Sequence, residues 1–213
     1  MLRNIISNEW FTILIVLCLI IIAFTKLSFS RRFNDFVTVV GNSNYLKIYR
    51  RDQKFIDQFD GLLFLNLVIS ASIFVFLAFT TLIDPIEFDI FLFIKILVAI
   101  GAIILIKVLL ERLIGSLFDI DDLMDSYIFQ KTNYRNFTGL FLLPINILLI
   151  YSFEPTSVII YVVMAFIVLI HLIGFLTTFK SYQNVIIENL FYFILYLCAL
   201  EFGPYILLYK VFN

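Results

Sequence analysis

Six apolar runs dominate this 213-residue chain: about Trp10 to Phe24, Gly61 to Ile83, Ile90 to Leu110, Phe137 to Phe153, Val158 to Phe179 and Leu190 to Leu208. Each approaches the roughly 20 residues that an α-helix needs to cross a bilayer. Lipid offers no partner for a backbone amide, so each run is expected as a helix, and the sequence lacks the period-2 alternation of a membrane barrel. Hydrophobic residues make up 62% of the chain, against roughly 45 to 50% in a soluble domain, which argues against an ordinary globular enzyme. The expected fold is all-α: a polytopic membrane helix bundle of six transmembrane helices, forming a single integral domain over 1–213. Only Arg3 precedes the first run, no small-residue cleavage site follows it, and it exceeds the usual length of a signal-peptide core, so it is expected as a retained anchor.

The connectors suggest an orientation. The first (Lys26, Arg31, Arg32, Lys47, Arg50, Arg51, Lys54), third (Arg112, Lys131, Arg135) and fifth (Lys180) carry eleven basic residues, whereas the second and fourth carry only Asp84, Glu87, Asp89 and Glu154. Basic residues beside a span stay on the cytoplasmic side. The odd-numbered connectors are therefore expected inside and both termini extracytoplasmic. In the first connector, Phe33, Phe36, Val37 and Val40 recur at i, i+3, i+4 and i+7 among Arg31, Arg32, Asn34 and Asp35, the pattern of an amphipathic interfacial helix. A similar helix is expected in the third connector. Gly41 to Asn44 reads as a turn. Tyr45 to Asp60 mixes bases with Phe55, Ile56 and Phe59, which suits either anionic headgroups or a cytoplasmic protein partner.

A formal net charge of −1 leaves no basic domain for nucleic acid. Cys18 and Cys198 both lie within apolar runs and share no short spacing, so they read as small buried hydrophobes and not as a disulfide or metal pair. His171 is the one histidine.

An ionisable group in mid-membrane costs about 2.5 to 3.5 kcal/mol on insertion scales, so the few present are the best pointers to a site. Lys95 lies five residues into the third run from its outer end, and Glu201 seven residues before the outer end of the sixth. A rise of about 1.5 Å per residue puts them at similar depth, so they are expected to face each other, either as a buried pair fixing helix register or as a proton- or ion-handling site. Pro204 removes an amide donor and crowds the carbonyl of Leu200 beside that glutamate. Pro144 and Asn146 fall near the middle of the fourth run, and His171 near the middle of the fifth; an interhelical hydrogen bond through Asn146 or His171 is expected. The small residues Ser70, Ala71, Ser72 and Ala99, Gly101, Ala102 suggest close packing of runs two and three.

Asp121, Asp122 and Asp125 form a literal DDxxD. Such aspartates can hold Mg²⁺ against a diphosphate, but the nearest second acidic pair is only Asp57 and Asp60. The bland reading is a solvated acidic helix end. No catalytic triad, Gly-rich phosphate loop, zinc spacing or HExxH occurs in the sequence, and no cofactor is expected.

The stretch Tyr134, Arg135, Asn136, Phe137, Thr138, Gly139 and Leu140 through Leu143, Pro144 and Asn146, together with Phe191 to Leu197, Glu201, Pro204, Tyr209 and Lys210, resembles an uncharacterised multi-pass family of Bacteroidota, domain of unknown function 4271. The resemblance implies a bacterial inner-membrane location and no established activity. It draws attention to Tyr134, Arg135, Asn136 and Pro144 at the start of the fourth span, and to Glu201 and Pro204 at the end of the sixth.

The leading functional expectation is a non-enzymatic accessory or assembly subunit that acts through membrane or cytoplasmic protein partners. The main rival is a small proton- or ion-coupled transporter using Lys95 and Glu201, and a third reading is a Mg²⁺-dependent lipid-modifying enzyme.

Overall fold

The computed structural model describes residues 9–39, 44–49, 57–83, 88–117, 120–153 and 155–181. Among them the chain forms seven helices and no strand: α1 (Glu9–Ser28), α2 (Ser30–Val37), α3 (Asn44–Tyr49), α4 (Gln58–Leu82), α5 (Ile90–Leu117), α6 (Asp121–Tyr151) and α7 (Ser157–Ser181). Four helices are long and apolar enough to cross a membrane: α1, α4, α5 and Ser157–Thr177 of α7. Their outward sides are apolar too, with Ile20, Val98, Ile106 and Val168 exposed. Such contiguous apolar exposure marks lipid-facing or partner-facing surface and not solvent-facing surface.

The six-span expectation therefore reduces to four among the described residues. The fourth run is the second half of α6, a single helix of 31 residues and about 46 Å, in which Arg135, Asn136, Pro144 and Asn146 dilute the apolar stretch. The sixth run, with Cys198, Glu201, Pro204, Tyr209 and Lys210, lies outside the described residues. A separate interfacial helix in the third connector is not what forms. No breaker stands between Asp121 and Phe137, so the connector continues unbroken into the fourth run, and its Met124, Tyr127, Ile128 and Phe129 are buried inside the bundle.

Long helices alternate in direction. Cys18 of α1 meets Ser70 of α4, and Phe11 meets Phe76, so these two run antiparallel. Phe93 beside Phe76 and Gly101 beside Val68 set α5 antiparallel to α4. Asn136 reaches Asp60 and Asn146 reaches Ser70, which makes α6 parallel to α4, and Phe166 beside Phe141 with Gly174 against Tyr134 turns α7 back. The central helix is α4, with 61% of its apolar window buried, against 6% for α5.

The bundle consequently has two unlike ends. One gathers Phe11, Phe76, Phe88 and Phe93, with ring centroids 4.8 to 6.4 Å apart, and a hydrogen bond of 2.6 Å between the hydroxyls of Thr12 and Tyr151. The other gathers α2, α3, the start of α4, the end of α5 and the first half of α6, with most of the described charges. The helix expected at the start of the first connector forms as α2, but its Phe33 and Phe36 are buried on protein and only Val37 of that apolar set faces outward. Val40 lies outside the described residues. Phe36 is fully enclosed by Tyr45, Phe59 and Phe137, with centroids 5.7, 5.7 and 6.3 Å away.

Candidate functional site

At the charged end, Asp57 caps α4: its backbone is extended and its carboxylate accepts the amide of Phe59 at 3.2 Å. Capping satisfies a helix-end donor and places negative charge at the positive end of the helix dipole. The same residue, with Asp60 one turn on, receives the guanidinium of Arg32 from α2. Nη1 donates to Asp57, and Nη2 donates to Asp60 at 3.1 Å. Nε completes the set by donating to the Tyr45 hydroxyl at 3.2 Å. The guanidinium carbon also lies 4.4 Å from the centroid of the Phe59 ring and 5.3 Å from that of the Tyr49 ring. Forked donors and weak hydration suit arginine to this set of partners in a way that lysine cannot match.

Burial opposes the Arg32 charge, but the Tyr45 oxygen and the Asp60 and Asp57 carboxylates outweigh it and raise the guanidinium above its ordinary range. Burial likewise pushes the Tyr45 hydroxyl up, against the lowering pull of Arg32. The Tyr49 hydroxyl is raised by burial and by its hydrogen bond to Asp35, 3.0 Å long. Together these contacts fix α2 and α3 onto the start of α4.

A second ionic contact ties α5 to α6. Glu111 is 1% exposed, and Lys131 Nζ donates to its Oε1 at 2.6 Å while lying 5.3 Å from the Tyr127 ring. A buried carboxylate persists only with such a partner. Gly115 and Met124 let the two helices approach closely beside this pair, since a Cβ at Gly115 would stand 2.9 Å from the Met124 Cβ.

Between α4 and α6 runs a buried polar seam. Asn146 Nδ2 donates to the Ser70 carbonyl at 2.8 Å, and Ser70 Oγ lies 3.8 Å from Cys18 Sγ of α1, so three helices are stitched at one level. Nearer the charged end, Asn136 Nδ2 makes a long contact of 3.5 Å to the Asp60 carbonyl. Asn66, Asn133 and Asn136 are fully buried, and among the described residues the side-chain oxygens of all three, and of Asn146, have no hydrogen-bond partner. Buried polar atoms of this kind call for a partner such as water.

The residues singled out from sequence fall in separate places. Lys95 is exposed on α5, and its expected partner Glu201, with Pro204, is outside the described residues. His171 is exposed and its Nδ1 pairs within its own helix, 2.9 Å from the Ile167 carbonyl; Asn146 makes an interhelical bond, to Ser70 of α4. Tyr134 is buried against Gly174, Asn136 joins the seam, and Arg135 Nη2 contacts Thr132 Oγ1 at 3.4 Å. Pro144 is exposed within α6. Asp121 and Asp125 are exposed, Asp125 lies 3.7 Å from Arg112, and the side chain of Asp122 is not among those described. Among the described residues, no group of three His, Cys, Asp or Glu could hold a metal ion.

Among the described glycines, the closest helix approach is not between α4 and α5, where a Cβ at Gly101 would meet Val68 at an ordinary 3.7 Å. It lies between α4 and α6, where a Cβ at Gly139 would stand 2.5 Å from the Leu67 Cα. Asn136, Gly139 and Asn146 thus belong to one packing surface against α4, while Tyr134 packs on the other side of α6 against Gly174 of α7. The family described as "Domain of unknown function (DUF4271)" matches residues 11–212. The chain belongs to this family. No curated protein and no solved structure matches it. Within DUF4271, this chain builds its charged end from Arg32 and Glu111. In the sequence Arg32 reads as one connector base among several, and Glu111 falls just past the apolar run that ends at Leu110. The available signal was that Leu113, Ile114 and Leu117 continue that run beyond the glutamate.

Proposed function

We propose that this DUF4271 chain is a multi-pass protein of the bacterial inner membrane, with its charged end in the cytoplasm, that serves as an accessory or assembly subunit by holding partner proteins. The observation that carries this reading is the Arg32 clamp. It fixes α2 and α3 on the bundle with Phe33, Phe36 and Tyr45 turned inward, while Val37 and Ile48 stay exposed. Exposed apolar side chains on a rigid support suit a small protein-docking surface. The second half of α6 and the sixth run complete six spans in this reading, and both termini lie outside.

A photo-crosslinking residue placed at Ile48 in living cells tests it. The expected result is a crosslink to one companion of defined mass, with none from a control position at Val162 in α7. Crosslinks to lipid alone at Ile48, together with a lone monodisperse protein after mild detergent extraction, overturn it.

A second reading, a small proton- or ion-coupled transporter, is favoured by the buried asparagine oxygens of the α4–α6 seam, which could be served by water or a small cation. Its test is flux in proteoliposomes carrying Asn66→Leu or Glu201→Gln. Loss of flux at normal protein abundance supports transport, and absence of flux in the wild type excludes it.

A further inference from the structure

Between the end of α1 and the start of α4 lies a groove of about 470 Å³ lined by Phe24, Ser28, Phe29, Gln58, Gly61 and Leu62. That volume is within the usual range of small-molecule sites, about 300 to 1,000 Å³. We propose that this groove binds one membrane phospholipid with an anionic headgroup, its acyl chain lying along Phe24, Gly61 and Leu62 and its phosphate at the basic rim.

Three observations carry the assignment. First, Gly61 opens the groove: a Cβ built there meets nothing within 4 Å, unlike those at Gly115, Gly139 and Gly174, which would press against a neighbouring helix. The missing side chain therefore serves no helix packing and leaves an empty channel on an otherwise apolar span. Second, the groove is apolar along its length and polar at one end. Phe24 is 56% exposed and Leu27 beside it 83%, whereas Ser28 and Gln58 bring a hydroxyl and an amide to the end nearest the charged connector. A phospholipid has that same division along its length.

Third, the charge matches. The chain linking α1 to α4, from Lys26 to Asp57, carries seven basic residues against three acidic. Arg31 is exposed and follows Ser28 by three positions, whereas Lys26, two residues from both Phe24 and Ser28, leaves α1 on its opposite side. Arg32 is withdrawn from this role, because Asp57 and Asp60 already hold it. A juxtamembrane cation attracts an anionic headgroup by about 1 kcal/mol, so Arg31 gives preference for one headgroup over another while the apolar channel gives the bulk of the binding. The Phe29–Phe59 edge contact, 5.8 Å between centroids, backs the groove and connects it to the Arg32 clamp.

Native mass spectrometry of the full-length, delipidated protein titrated with phosphatidylglycerol and with phosphatidylcholine tests the proposal. The wild type is expected to take one phosphatidylglycerol about fivefold more tightly than one phosphatidylcholine, as one headgroup cation at that strength requires. Gly61→Phe fills the channel and is expected to weaken both lipids at least tenfold, with an unchanged or higher Tm, since phenylalanine is the better helix former. Arg31→Gln is expected to abolish the preference between headgroups while leaving one lipid bound, and Lys26→Gln to keep the preference. Equal binding of the two lipids by the wild type overturns the headgroup assignment. Undiminished binding by a folded Gly61→Phe protein overturns the site, as does a dimer in detergent that this substitution dissociates, which would show a second copy in the groove.

Discussion

Arg32 and Asp60, 28 residues apart in sequence, meet at 3.1 Å beneath the ring of Phe59. Their contact joins the first connector to the central helix. Asp60 is about four-fifths enclosed, with a side-chain exposure of 21%, so removing its cation leaves a carboxylate largely cut off from water. Arg32→Ala is expected to cost about 3 to 5 kcal/mol and to open α2 and α3 to protease. Arg32→Lys should recover only part of this, because an ammonium lacks the fork of donors that serves two carboxylates and a tyrosine at once. Thermal unfolding in detergent with limited proteolysis measures both effects, and an Arg32→Ala protein as stable as wild type would show that the clamp is incidental.

The Glu111–Lys131 contact separates a broken ion pair from a missing one. Lys131→Met strands a fully buried carboxylate and is expected to lose about 3 to 5 kcal/mol, whereas Lys131→Met with Glu111→Leu should recover most of it. Equal losses in the single and double variants would mean that the pair itself holds α5 to α6.

Glycines at the helix contacts should divide sharply. Gly139→Ala forces a methyl group against the Leu67 backbone and is expected to destabilise by about 1 to 3 kcal/mol. Gly61→Ala, with open space around it, should stabilise by up to about 1 kcal/mol. Folded yield and Tm of the two variants in the same detergent provide the comparison.

Tyr45 gives the charged end an alkaline limit. Its hydroxyl is held above the ordinary value of about 10 by burial, so the folded chain binds this proton more tightly than the unfolded chain does. The contribution is fully present below pH 10 and is lost as pH rises through the higher folded value. Stability should therefore fall above about pH 10, and Tyr45→Phe should flatten that fall in a pH series of unfolding curves.

Apolar length carried most of the architecture in the sequence. Trp10 to Phe24, Gly61 to Ile83, Ile90 to Leu110 and Val158 to Phe179 each lie within or largely coincide with a helix long enough to span. What length could not reveal was where polar side chains point. Ser126, Gln130 and Asn133 fall in a polar connector of the sequence, yet they are buried in the first half of α6, where Asn133 Nδ2 donates one turn back to the Phe129 carbonyl. Arg32 was legible only as positive charge beside a span. Its pairing depends on the α1–α2 bend and on the Asp57 cap, neither of which any local pattern encodes. Phe33 and Phe36 had the right period for a helix, but periodicity does not say whether the apolar side meets lipid or α4 and α6. The asparagines of the seam were visible singly, and only the parallel alignment of α4 with α6 brings Asn136 to Asp60 and Asn146 to Ser70.

Sidedness of the charged end is the condition on which a cytoplasmic docking surface rests. In a chain with Cys18 and Cys198 replaced by alanine, a single cysteine at Arg31 or at Thr156 reports the two ends of the bundle to a membrane-impermeant maleimide. A cytoplasmic charged end predicts that Thr156→Cys is labelled in intact spheroplasts and Arg31→Cys only after permeabilisation. Labelling of Arg31→Cys in intact spheroplasts would contradict it.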